Sequence, residues 1–192
     1  MTGIFGGSFN PIHNGHIQLA RQLLVKAGLD EVWFMLSPQN PLKEQDALMD
    51  DSTRLRLAQA ALSDEKGIKV CDHELRMPRP SYTYLTMRSL AAAYPHRHFT
   101  LIIGADNWHS FSRWRNGDEL LSRYSIAVYP RTGYPVDTAT LPPDVSYYDL
   151  PLIDISSTDI RRRISQGLPF THLLPQPVAE IIIREGLYGA TS

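Results

Sequence analysis

The chain has 192 residues, of which 43% are hydrophobic and 20% charged, and its formal net charge is −1. That length supports one good core, and the near-neutral charge provides neither a field that recruits nucleic acid nor a polybasic stretch for a membrane surface. The single Cys71 excludes an intrachain disulfide and a cysteine-rich zinc site.

In chain order, short apolar runs alternate with longer amphipathic segments. A strand is predicted over 2–5, then a helix over 15–27 with Gly28 placed to cap its C-terminus. Strand 31–37 follows, then helix 51–62, for which Asp51-Ser52 is the start signal. Strand 68–72 leads to helix 82–93, with Ser81 as its start signal. Strand 98–104 contains Phe99-Thr100-Leu101-Ile102-Ile103, nearly continuous in apolar character, as strands buried on both faces read. Helix 117–123, strand 125–129, a proline-containing loop over 131–144 and strand 145–150 come next. Helices 158–166 and 177–185 close the pattern, with Gly186 as a cap. No apolar run approaches the ~20 residues of a membrane span. The N-terminus lacks a basic region followed by an apolar stretch, so a cytoplasmic protein without membrane or nucleic-acid partners is expected.

Strand–helix alternation predicts a Rossmann-like, doubly wound parallel α/β sheet with a small C-terminal helical part. One domain is expected over 1–187, with 188–192 as a frayed tail. Such sheets bind ligands beyond the carboxyl ends of their strands. The chemically distinctive residues follow predicted strands: segment 6–16 after the first, 38–43 after the second, and 104–106 after the fourth.

Segment 6–16 reads as a phosphate site. Gly6 and Gly7 let backbone approach an anion, and the helix opening near Gly15 offers converging N–H groups and a favourable dipole. His13 and His16 add donors that can carry positive charge. No glutamate forms H-E-x-x-H and no third ligand is evident, so a protein-held metal is not expected. Near the other end, Ser156-Ser157-Thr158 precedes an amphipathic run, and Arg161 would reach an anion bound at that helix start.

The stretch Gly6-Gly7-Ser8-Phe9-Asn10-Pro11-Ile12-His13-Asn14-Gly15-His16 resembles the signature of the HxGH nucleotidyltransferases. Ile155-Ser156-Ser157-Thr158-Asp159-Ile160-Arg161 resembles the partner segment of that signature. More narrowly, three further stretches resemble those of the bacterial nicotinate-nucleotide adenylyltransferases. They are Ser37-Pro38-Gln39-Asn40-Pro41-Leu42-Lys43, Arg79-Pro80-Ser81-Tyr82-Thr83, and Gly104-Ala105-Asp106 with Phe111 and Trp114. Asn10 stands where many relatives carry Asp, which removes a charge beside the phosphates.

The resemblance implies transfer of AMP from ATP to nicotinate mononucleotide, giving nicotinate adenine dinucleotide and pyrophosphate. It implies His16, His13 and Arg161 as catalytic groups. ATP would be held by Gly7, Ser8, Phe9, His13, His16, Gly104, Asp106, Ser156, Thr158 and Arg161. Lys43, Thr83 and Trp114 would hold the nicotinate nucleotide, and Mg²⁺ would accompany the ATP phosphates without a dedicated protein cage. Transfer to nicotinamide mononucleotide or to phosphopantetheine, and a non-catalytic nucleotide-binding module, are the alternatives. A homo-oligomer is left open.

Overall fold

The computed structural model describes residues 1–38 and 48–190. Six parallel strands form one sheet: β1 (Thr2–Gly7), β2 (Glu31–Leu36), β3 (Ile68–Cys71), β4 (Phe99–Gly104), β5 (Ser125–Tyr129) and β6 (Val145–Tyr147). Their spatial order is β3-β2-β1-β4-β5-β6, so the winding reverses between β1 and β4. Parallel neighbours need crossovers: α1 (Asn14–Lys26) lies between β1 and β2, α2 (Asp51–Leu62) between β2 and β3, α3 (Thr83–Ala93) between β3 and β4, and α4 (Ala105–His109) with α5 (Gly117–Arg123) between β4 and β5, while α6 (Ser157–Ser165) and α7 (Gln176–Glu185) follow β6.

The period-2 geometry of the strands sends alternate side chains to opposite faces. Phe5, Phe34, Leu36, Ile102 and Ala127 meet Leu23, Leu57, Ile160 and Val178 from α1, α2, α6 and α7. Ile4, Met35, Leu101, Ile103 and Val128 meet Met87, Leu90 and Leu120 from α3 and α5 on the other face. Burial on both faces is what the near-continuous apolar runs of the sequence require. The C-terminal helices belong to this core: Arg56 on α2 forms a bidentate pair with Glu185 on α7, at 2.6 and 2.5 Å.

Several boundaries differ from the expected ones, each for a local reason. The short α4 was not expected; it starts directly at the end of β4, and five residues carry too little periodicity to read. The N-cap of α2 is Asp50, whose carboxylate accepts from the Thr53 amide at 2.9 Å, in place of Asp51-Ser52. Ser81 does not cap α3; Tyr82 occupies that position, and the Ser81 hydroxyl is engaged elsewhere. The chain end is not frayed at Tyr188, which is packed against the core and donates to Asn10 Oδ1 at 2.9 Å.

Candidate active site

The carboxyl ends of the central strands open onto a cleft of about 1050 Å³ at the point where the winding reverses. All the expected site residues among those described line it: Gly7, Ser8, Phe9, His13, His16, Thr83, Gly104, Asp106, Trp114, Ser156, Thr158 and Arg161. Lys43 lies outside the described residues.

The glycine loop owes its shape to what lies beneath it. Phe9 has φ 44°, a left-handed conformation costly for a bulky residue. Its buried ring packs on Phe5 and Phe34, with centroids 5.6 and 5.0 Å away. That ring fills the space above Gly7, where a Cβ would stand 3.0 Å from Phe9 Cζ, so a larger residue would push the loop off its bed. Gly6 meets no such obstacle.

His13 is the N-cap of α1, and its backbone N–H donates to His16 Nδ1 at 3.2 Å. An accepting Nδ1 is unprotonated, which makes His16 Nε2 a donor. The two imidazoles stack with centroids 3.6 Å apart and planes 20° from parallel. His13 is only 4% exposed, and burial, aided by the positive charge of Arg131, lowers its pKa to about 3. It is therefore neutral at pH 7 and faces the cleft as a neutral imidazole. Among the described residues, Oδ1 of Asp106 is buried without a hydrogen-bond partner. At Gly15 a Cβ would come within 2.9 Å of Ile153 Cγ2 and 3.1 Å of His13 Nδ1, so only glycine lets the first turn close on the loop ahead of α6.

The second helix start meets the first on the same face of the sheet. Ser156 caps α6, its hydroxyl accepting from the Asp159 amide at 3.1 Å. Ser157 Oγ donates to the Pro11 carbonyl at 2.9 Å. Arg161 Nη1 donates to the Asn10 carbonyl at 2.8 Å, and its Nη2 lies 3.4 Å from Thr158 Oγ1. These bonds fasten the two halves of the signature together over nearly the length of the chain.

Asp106 stands at the start of α4, with Oδ1 3.5 Å from Arg131 Nε. A Cβ on Gly104 would collide with that carboxylate, which explains the glycine that ends β4. Trp114 packs on Phe111, centroids 5.2 Å apart, and lines the cleft. Arg115 lies over the Tyr82 ring at 4.9 Å.

Other contributors were not legible in the sequence. Arg54 is fully buried beneath the glycine loop and donates to the Ser8 carbonyl at 2.5 Å. Glu74 is buried at the opposite wall, accepting from Ser37 and Ser81, and burial raises its pKa. Asn10 is not merely a neutral substitute for Asp: its Oδ1 accepts from the Met49 amide at 3.2 Å and from Tyr188. Among the described residues, no three His, Cys, Asp or Glu side chains gather into a metal-ligand set.

Residues 4–163 match the model of the cytidylyltransferase-like family. A relative from Bacteroides fragilis is 47% identical over 96% of this chain and 92% of its own length. One from Porphyromonas gingivalis is 41% identical over all of this chain and 98% of its own. Both are named "Probable nicotinate-nucleotide adenylyltransferase". A solved structure, Plasmodium falciparum nicotinic acid mononucleotide adenylyltransferase complexed with NaAD, shares the fold with a TM-score of 0.82 at 18% identity. That match covers 99% of this chain and 98% of the other.

Proposed function

This chain belongs to the cytidylyltransferase-like family, and we propose that it is a nicotinate-nucleotide adenylyltransferase, transferring AMP from ATP to nicotinate mononucleotide. The observation that carries the reading is the meeting of two helix starts, α1 with its paired imidazoles and α6 with Arg161, on one cleft. Relatives bearing the nicotinate-nucleotide name match almost the whole chain, which selects the acceptor.

In this reaction an oxygen of the mononucleotide's 5′-phosphate attacks the α-phosphorus of ATP. A new P–O–P bond forms as the bond to the β-phosphate oxygen breaks, and pyrophosphate leaves with the electron pair. The nucleophile is already anionic at pH 7, so the protein need not remove a proton. Its task is to align two mutually repelling anions and to stabilise charge on the leaving group.

The residues suit that task. His16 and His13 would donate to the transferring phosphates. Arg161, Ser156 and Thr158, with the α6 N-terminus, would hold the β- and γ-phosphates. Gly7, Ser8 and Phe9 would contribute backbone, and Asp106 would meet the adenosine ribose hydroxyls from its place beside Gly104. Thr83 and Trp114 would hold the nicotinate side, with Lys43 as a phosphate contact. Mg²⁺ would enter as part of the ATP complex, carried by phosphate oxygens and water, which fits a cleft built mainly of donors.

The test is a product assay with ATP, Mg²⁺ and one acceptor per reaction: nicotinate mononucleotide, nicotinamide mononucleotide or phosphopantetheine. The expected result is pyrophosphate together with a dinucleotide, formed chiefly from the nicotinate acceptor. Preference for another acceptor would overturn the roles of Thr83 and Trp114. ATP binding with no product in any reaction would identify a non-catalytic module.

A further inference from the structure

Arg54 is fully buried beneath the glycine loop, and it does not line the cleft. A guanidinium taken out of water is costly, so its place there needs a reason. Its donors converge on three backbone carbonyls: Nη1 donates to Ser8 at 2.5 Å and to Ser37 at 3.0 Å, and Nε donates to Met49 at 3.0 Å. Nη2 donates to Asp51 Oδ1 at 2.5 Å. The other oxygen of that carboxylate accepts from Arg79, so one negative charge answers two positive ones. The three carbonyls belong to the glycine loop, to the residue after β2 and to the approach to α2. A planar fork of donors can reach all of them at once, whereas an ammonium on a flexible stem cannot.

The contact with Ser8 decides how the loop faces the cleft. The peptide joining Ser8 to Phe9 is trans, and in a planar trans peptide the carbonyl and the N–H point in opposite directions. With the Ser8 carbonyl drawn onto Arg54, the Phe9 N–H is directed away from the buried guanidinium, and Phe9 itself lines the cleft. Among the described residues, no acceptor takes that N–H. Phe9 keeps its left-handed φ of 44°, where a bulky residue stays only when its surroundings over-determine it. Arg54 on the carbonyl and the packed ring of Phe9 supply that constraint from two sides. A charged donor on a carbonyl also polarises the peptide and strengthens its N–H as a donor.

We propose that Arg54 is a positioning residue for the ATP phosphates: it fixes the Ser8–Phe9 peptide so that the Phe9 N–H faces the cleft, and its permanent charge strengthens that donor from behind. This role rests on the nucleotidyl-transfer reading of the cleft and adds to it the group that aims the loop's backbone. The positive charge itself stays under the loop, so it reaches the substrate through a peptide bond and leaves no side chain in the way of the transferring phosphate.

The test separates phosphate recognition from general support of the fold. Arg54→Lys keeps the positive charge and loses the fork, so the Kd for ATP should rise about tenfold, the scale of one charge-assisted hydrogen bond. Adenosine offers the same base and ribose without phosphates, and its Kd should stay within about twofold of wild type. Arg54→Met also removes the charge, and it should weaken ATP at least about threefold beyond Arg54→Lys. Equal losses for ATP and adenosine would show that Arg54 only supports the fold, and an unchanged ATP affinity in Arg54→Lys would show that the fork is not needed; either result overturns the proposal. Amide-proton NMR of the wild-type protein needs no variant that must fold. The Phe9 amide should move downfield when ATP and Mg²⁺ are added, and it should exchange with solvent at least about tenfold more slowly. A Phe9 amide that does not respond sinks the proposal. If that amide responds while wild type forms no dinucleotide from any acceptor, the reaction is misread and the role of Arg54 stands. If dinucleotide forms while the amide stays unmoved, the reaction stands and the role of Arg54 falls.

Discussion

The start of α1 presents the cleft with a buried imidazole that is neutral at pH 7, stacked on a second imidazole and walled by aromatic rings. The start of α6 presents a serine cap and a guanidinium whose charge is permanent. Both ends offer backbone N–H groups and the same dipole, so the contrast lies in the side chains. A permanent charge at the α1 end would need to be desolvated under the glycine loop, where the His13 pocket leaves 4% of that residue exposed. Arg161 escapes that cost by resting on the Asn10 carbonyl at a half-exposed position. On the proposed reaction, the α1 end would offer oriented imidazole donors to the transferring phosphate and the α6 end a fixed charge to the outer phosphates.

The sharpest way to break this contrast is at the α1 end. If His16 donates to the transferring phosphates as proposed, His16→Ala should lower kcat at least ~100-fold with little change in melting temperature. Turnover near that of wild type would remove His16 from the reaction. At the α6 end the loss should be smaller. Arg161→Lys keeps the charge but cannot hold Asn10 and Thr158 together, so kcat/KM for ATP should fall about tenfold while kcat changes less. An equal fall in kcat would place Arg161 at the transferring phosphate as well. The smallest effect is on stability. His13 has a folded pKa of about 3 against 6.5 when unfolded, so between those values the unfolded chain binds more protons. The stabilising contribution is complete above pH 6.5 and is lost as pH falls, by on the order of 1 kcal/mol per pH unit. Denaturant titrations from pH 7 to pH 5 should show this slope, and His13→Asn should flatten it. An identical slope in both proteins would show that His13 is not held neutral.

What could be read from sequence was local chemistry at helix starts. The paired histidines lie beside a glycine loop, and Ser156-Ser157-Thr158 announces a capped helix; each motif is contained within a few residues. The strands were legible because burial on both faces leaves unbroken apolar runs. Arg54 and Glu74 were not legible, for the opposite reason. Arg54 sits in Asp51-Ser52-Thr53-Arg54-Leu55-Arg56, a run that reads as a solvated helix start, and its partners Ser8 and Ser37 come from other elements. Ser81 was mistaken for a cap because nothing nearby in sequence reveals a carboxylate that competes for its hydroxyl. The neutral state of His13 was not legible either, since burial and Arg131 are supplied by the fold.

The bond from Tyr188 to Asn10 spans 178 positions of the chain, and it sets an order of events in the cell. A ribosome makes the glycine loop 178 positions before the tyrosine that bonds to it. At ordinary rates of synthesis the interval is on the order of 10–40 s. During that time α1 and β1 can form, but the loop beside the histidines lacks its final support. The loop beside the histidines therefore gains its tyrosine contact long after its own residues have been made.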